Sequence, residues 1–130
     1  MTVIRRFEDI QGWQEARILV SQIYTMTQFS GFSKDFGLRD QIQRAAVSTM
    51  ANIAEGFDCE SKLEFARFLG IARRSAVEVQ SLLYAAHDLG YIDKNTFETS
   101  YSQAGKTKAL IGGLKKSLTQ PKPSHLTPDT

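Results

Sequence analysis

Few residues in this chain are equipped for chemistry: His87, His125, Cys59 and the arginines and lysines of its second half. His87 precedes Asp88, a pair that can bind metal in helical phosphohydrolases. Those sites need further histidines on other helices, and the remaining one, His125, stands in a proline-rich C-terminal stretch. A di-iron bundle needs a Glu-x-x-His on each of two helices, and the chain has none. Some helical ribonucleases place an arginine four to six residues before a histidine; that window before His87 holds Ser81, Leu82 and Leu83. Cys59 has no histidine near it in sequence to act as a base. A single cysteine also excludes an internal disulfide and a multi-cysteine metal site. Gly112-Gly113-Leu114-Lys115 lacks the Gly-Lys-Ser/Thr ending of a phosphate loop. These residues read as no enzyme, with no metal and no cofactor.

Cations remain. Arg67, Arg74 and Ser81 recur at intervals of seven, with Arg73 beside Arg74. Lys108 and Lys115 are also seven apart, and Lys106 and Lys116 flank them. Such a row suits a solvated helix face or a phosphate-binding one. The net charge of +2 does not by itself imply a polyanion partner. Between Glu98 and Asp129, however, the only charged residues are lysines: Lys106, Lys108, Lys115, Lys116 and Lys122. No base-reading helix-turn-helix and no aromatic stacking platform is legible, so any RNA or DNA binding is expected to be weakly sequence-specific and salt-sensitive.

A second pattern is polar. In QIQRAAVSTMANIAEGF, Arg44, Ser48, Asn52 and Glu55 follow one another at spacings of four, four and three. That spacing puts them on one face of an otherwise alanine-rich helix. Two readings stand: the solvated side of an amphipathic helix, or a part-buried hydrogen-bonding row. The small residues around it, which let a neighbouring helix approach, favour the second.

The elements that carry these residues are helical. All three prolines, Pro121, Pro123 and Pro128, fall in the last ten of 130 residues, and no alternation of β-branched residues marks a strand. The first helix is expected to start at Glu8 or Asp9, with a stripe of Trp13, Ala16, Val20, Ile23 and Thr27 widened by Leu19 and Met26. Residues 29–37 form a loop whose three phenylalanines, Phe29, Phe32 and Phe36, are expected to fold back as a lid. The second helix spans residues 38–57 and turns inward Leu38, Ile42, Ala46, Met50, Ile53 and Phe57, with Gly56 as its stop signal. Ser61 and Glu64 read as a capping box for a third helix over residues 62–89. Its core face is Phe65, Phe68, Leu69, Ala72, Ala76, Val79, Leu83 and Ala86, and Gly90 ends it. A fourth helix over residues 95–118 turns Phe97, Tyr101, Ala104, Ile111, Leu114 and Leu118 inward. Its glycines, Gly105, Gly112 and Gly113, either weaken it or permit a close contact.

The expected fold is all-α: an antiparallel up-down-up-down four-helix bundle over residues 1–119, with a disordered tail over 120–130. Ile71, Leu82, Tyr84 and Phe57 exceed what one small bundle can bury and hint at self-association. The N-terminus MTVIRRFED lacks a signal peptide's apolar run, and no stretch of about 18 apolar residues exists. The expectation is a cytoplasmic protein with no membrane span.

The run Gln41-Ile-Gln-Arg44-Ala-Ala-Val-Ser48, continuing to Asn52-Ile-Ala-Glu55-Gly56, resembles the signature of the four-helix-bundle proteins encoded in 23S ribosomal RNA intervening sequences. Phe65-Ala-Arg-Phe68-Leu-Gly-Ile-Ala72-Arg-Arg-Ser75, with Glu78, resembles its second block. Phe7-Glu8-Asp9 and Trp13-Gln14 resemble its opening, and the similarity covers residues 7–118. The family is similar to the accessory protein of diversity-generating retroelements. The resemblance therefore implies a homopentamer, no enzymatic activity, and a nucleic-acid or protein partner such as a reverse transcriptase. Arg44, Asn52, Glu55, Ser75 and Glu78 fall on that signature and are expected to form a structural polar network between the second and third helices or across a subunit boundary, the alternative being the lining of a binding groove. Met50 and Ser30 stand where the family often has proline, and Arg74 where it commonly has glycine. The function read from residues and resemblance together is a non-enzymatic oligomeric scaffold. It binds nucleic acid or a nucleoprotein through Arg67, Arg73, Arg74, Lys106, Lys108, Lys115 and Lys116. The alternative is a protein-interaction adaptor indifferent to nucleic acid.

Overall fold

A computed structural model describes residues 3–119. They form four helices and no strand: α1 (Gln11–Met26), α2 (Phe36–Phe57), α3 (Lys62–Asp88) and α4 (Lys94–Thr119). The proposed tail over residues 120–130 lies outside the described residues. Helix α3 packs extensively along both α2 and α4, and the shorter α1 closes the set by touching α2 and α4. No helix among the described residues is long and apolar enough to cross a membrane.

Local chemistry explains most boundaries. Asp35 caps α2 by accepting from the Leu38 amide at 3.1 Å, and Asp93 caps α4 by accepting from the Thr96 amide at 2.8 Å. Ser61 caps α3 through the Glu64 amide. The Glu64 carboxylate turns instead to Arg67 at 3.0 Å, so only half of the expected capping box forms. Gly90 adopts a φ of 78°, and the Tyr91 amide reaches back to the Ala86 carbonyl, which closes α3 as a left-handed C-terminal turn does.

Three expectations need correction. Helix α1 starts at Gln11, because the Asp9 carboxylate accepts from the amides of Arg5 and Arg6 and closes a short 3-10 turn over Phe7–Asp9 instead. The phenylalanine lid is a single residue: Phe32 is fully buried, whereas Phe29 and Phe36 are exposed. Helix α2 ends at Phe57 as expected, but Gly56 stays helical and takes no left-handed turn, so it is not what ends the helix. It marks the closest approach of α2 and α3, where an added Cβ would meet the Phe68 Cβ at 2.7 Å and Phe65 Cδ1 at 2.9 Å.

Phe32 stacks on Tyr91 with ring centroids 5.3 Å apart, and the Tyr91 hydroxyl donates to Asp35 Oδ2 at 2.9 Å. That bond raises the Tyr91 phenol above its ordinary value and ties the residue 29–37 connection to the turn before α4.

The core divides in two. One cluster holds Leu19, Ile23, Met26, Phe32, Ile42, Val79, Leu83 and Ile92; the other holds Ile10, Trp13, Ile53, Leu69, Ala72 and Ile111. Ala76, Thr49 and Thr107 are fully buried and belong to neither. Each threonine hydroxyl donates to the carbonyl four residues back, Ala45 and Gln103 respectively, so neither is left unpaired. Met50, Phe57, Phe65, Phe68, Phe97, Tyr101, Leu114 and Leu118, expected inward, are only half-buried.

Candidate nucleic-acid interface

The expected cations distribute unevenly. Arg67 is neutralised locally: its guanidinium pairs with Glu64 and lies over the Phe68 ring at 4.9 Å. Lys106 points to the α1 side, with its ammonium 3.4 Å from Glu15 Oε1. The same carboxylate accepts from Gln103 Nε2 at 2.8 Å. That hydrogen bond, reinforced by the Lys106 charge, holds Glu15 below its ordinary value. Lys116 is exposed.

Arg73, Arg74, Lys108 and Lys115 gather along the seam between α3 and α4. Glycines build this seam. A Cβ on Gly112 would lie 3.5 Å from Arg73 Nε, and one on Gly105 would lie 3.3 Å from Gln80 Nε2. Gln80 is buried; its amide donates to the Tyr101 carbonyl, and its oxygen accepts from the Lys108 ammonium at 3.3 Å. At Gly70 the missing side chain leaves room for two cations. Arg74 Nη1 and Lys115 Nζ both come within 4 Å of the point where a Cβ would sit, at 3.7 Å and 3.8 Å. Among the described residues no carboxylate lies within 4 Å of Arg73, Arg74, Lys108 or Lys115. Like charges brought together without an anion repel, and such a place is suited to a phosphate.

The polar row of α2 also divides. Ser48 and Ser75 hydroxyls meet at 2.8 Å across the α2–α3 contact. Asn52 Nδ2 donates to the Ser48 carbonyl and hydroxyl at 2.9 and 3.0 Å. Gln41 Nε2 reaches Glu78 Oε2 at 3.2 Å at the rim. Arg44 is exposed beside this group, lining a shallow depression with Gln41, Ser48, Ser75 and Glu78. Glu55 is exposed and outside the group; its carbonyl, not its carboxylate, accepts from the Cys59 thiol.

Two features were missed by sequence reasoning. The first is an aromatic group at the far end of the α3–α4 seam. Phe97 stacks with Tyr101 at 5.3 Å, and Tyr84 packs against both at 4.9 and 5.5 Å. His87 lies 5.4 Å from Phe97. Pairing residues 84 and 87 with 97 and 101 required the register of the two helices. The second is a cleft of about 700 Å³ between α1 and α4, walled by Trp13, Ile18, Met26 and Phe29. Gln22 lines it, and among the described residues its buried Oε1 has no hydrogen-bond partner. Among the described residues no three His, Cys, Asp or Glu side chains converge as metal ligands.

Acid should loosen the bundle. Glu15 is lowered chiefly by its Gln103 bond, and Asp93 by the Thr96 amide. Both have folded-state values below their unfolded ones. Their contribution is therefore complete above the ordinary carboxylate range and is lost as pH falls through the folded-state values. Melting temperature is expected to hold from about pH 7 to about pH 5 and to decline below about pH 4. A midpoint unchanged at about pH 3 would contradict this.

Comparison with known proteins agrees with the fold. A crystal structure of a protein of unknown function from the S23 ribosomal protein family of Bacteroides thetaiotaomicron VPI-5482 superposes with a TM-score of 0.76. It is 24% identical, and the match covers 81% of this chain and 98% of that one. No curated protein matches the sequence. The profile of the 23S rRNA-intervening sequence proteins matches residues 8–113, which take in all of α1, α2 and α3 and most of α4. The chain belongs to the 23S rRNA-intervening sequence protein family.

Proposed function

We propose that this protein is a non-enzymatic cytoplasmic scaffold, an antiparallel up-down-up-down bundle that binds the phosphate backbone of nucleic acid along the α3–α4 seam. The convergence of Arg74 and Lys115 over Gly70, with no carboxylate of the described residues within 4 Å of either, carries this reading. Arg73 and Lys108 extend the positive strip, whereas Arg67 and Lys106 are already paired and contribute less. Exposed Val77 on α3 and Val47 on α2 support self-association into a ring, a homopentamer by family resemblance. Such a ring would repeat the strip on every subunit, and a nucleoprotein such as a reverse transcriptase complex would be one partner for it.

Fluorescence anisotropy with labelled RNA and DNA across a salt series tests the strip, with the assembly mass measured on the same sample. Affinity is expected to fall steeply with salt. In Arg74→Gln with Lys115→Gln, loss of two phosphate contacts should lower the slope of log affinity against log salt by roughly 1.4 for single strands and roughly 1.8 for duplex. Binding and slope equal to the parent's would overturn the assignment.

The α1–α4 cleft supports a second reading, an adaptor for a protein partner. Its walls include the exposed apolar residues Ile18 and Phe29. A stable assembly that binds no nucleic acid at low salt would favour it.

A further inference from the structure

We infer that the strand bound along the α3–α4 seam is single-stranded, with an unpaired base laid on the aromatic group of Tyr84, His87, Phe97 and Tyr101 and the following phosphates on the cation strip. This rests on the proposed phosphate-binding role of the strip and adds the class of nucleic acid.

The aromatic group has the attributes of a stacking surface. Tyr84 is 52% exposed, and its ring is held from below by Phe97 and Tyr101. Phe97 and Tyr101 are half-buried and stacked on each other, with an interplanar angle of 27°. The His87 ring, also exposed, continues the surface beside Phe97. Rings immobilised in this way lose little further freedom when a base is added.

Position along the seam supplies the second argument. Tyr101 and Lys108 are seven residues apart on α4, about 10 Å along the axis, and Lys115 lies about 10 Å further. The aromatic end and the Arg74–Lys115 pair thus terminate one strip about 20 Å long. Lys108, held by Gln80, and Arg73, lying against Gly112, stand between them. The charge also changes along it. His87 Nδ1 is 4.0 Å from the Asp88 carboxylate, and Glu98 is exposed next to Phe97, so this end disfavours a phosphate and leaves stacking as its attraction. The opposite end favours the phosphates. A duplex keeps its base faces stacked inside, so the aromatic end has nothing to stack on. A single strand can use both ends, as sequence-tolerant single-strand binders do.

The test compares three labelled probes of equal length: a single-stranded oligonucleotide, the same strand with abasic sites throughout, and a duplex. The abasic strand keeps every phosphate and lacks every base. The intact strand is expected to bind about 5- to 150-fold more tightly than the abasic one. Tyr84→Leu is expected to remove that advantage while leaving abasic affinity unchanged, and Tyr84→Trp to retain it. Equal affinities for intact and abasic strands would overturn the inference while leaving the cation strip standing. Equal loss on both probes in Tyr84→Leu would do the same. A changed assembly mass in that variant, with no dependence on bases, would overturn it and assign the patch to subunit contact. Failure of all three probes to bind would bring down the strip and the aromatic site together.

Discussion

Phe32→Ala is expected to lower the stability of the bundle by about 3–5 kcal/mol, the range for truncating a buried aromatic. The ring is fully buried in the cluster that contains Ile23, Met26, Ile42, Leu83 and Ile92. Its loss leaves a cavity and removes the surface on which Tyr91 stacks. Tyr91 in turn donates to Asp35, and Asp35 caps α2. One truncation therefore weakens a core cluster, a connection between two loops and a helix start. Phe29→Ala and Phe36→Ala are the controls. Both rings are exposed, and each change should cost less than about 1 kcal/mol, although Phe36 also loses the Arg39 guanidinium 4.7 Å above its ring. Urea unfolding of the three variants decides the matter. Comparable losses in all three would mean that the phenylalanines act together as a lid and that the burial of Phe32 alone is not what counts.

Gly56→Ala should destabilise the protein by about 1–3 kcal/mol, the cost of overpacking a close contact. Helix propensity alone argues the other way, since alanine in a helix interior is favoured over glycine by about 1 kcal/mol. Packing decides the sign. The new methyl would meet the Phe68 Cβ at 2.7 Å and the Phe65 carbonyl oxygen at 3.3 Å, atoms at or next to the α3 backbone that cannot swing aside. Helices α2 and α3 would have to separate along their most extensive contact. Gly113 gives the opposite case: a Cβ there meets nothing within 4 Å. Gly113→Ala should therefore stabilise by about 0.5–1 kcal/mol. Thermal melts of both variants check the pair, and stabilisation by Gly56→Ala would refute the close-approach reading.

What the sequence made legible follows from how local each signal is. Ser61 and Gly90 mark the ends of α3 because a cap and a left-handed turn involve only neighbouring residues. The start of α1 was misread because Asp9 had two amide sets to choose from and took the preceding one. Three phenylalanines in nine residues look alike in sequence. Only the location of Tyr91, far along the chain, selects Phe32 for burial. The cation row was visible as seven-residue spacing, but its useful subset was not. Arg67 and Lys106 drop out through Glu64 and Glu15. Arg74 and Lys115 come together over Gly70 only once α3 and α4 are packed in register. The aromatic group went unseen for the same reason, since neither helix alone carries enough of it to register as a surface.

The divided core has a consequence for how the molecule comes apart. Thr49, Thr107 and Ala76 form a waist of small side chains between two apolar clusters, and the two threonine hydroxyls are satisfied within their own helices. Such a division is expected to give two levels of hydrogen-exchange protection, one for each end of the bundle, and a single level throughout would show one cooperative unit. The end with Phe32 and Ile92 is also the end where Tyr84 and Phe97 lie. A partner that settles on those rings would then act as a clasp, raising the opening energy of one half while the Trp13 half keeps its own.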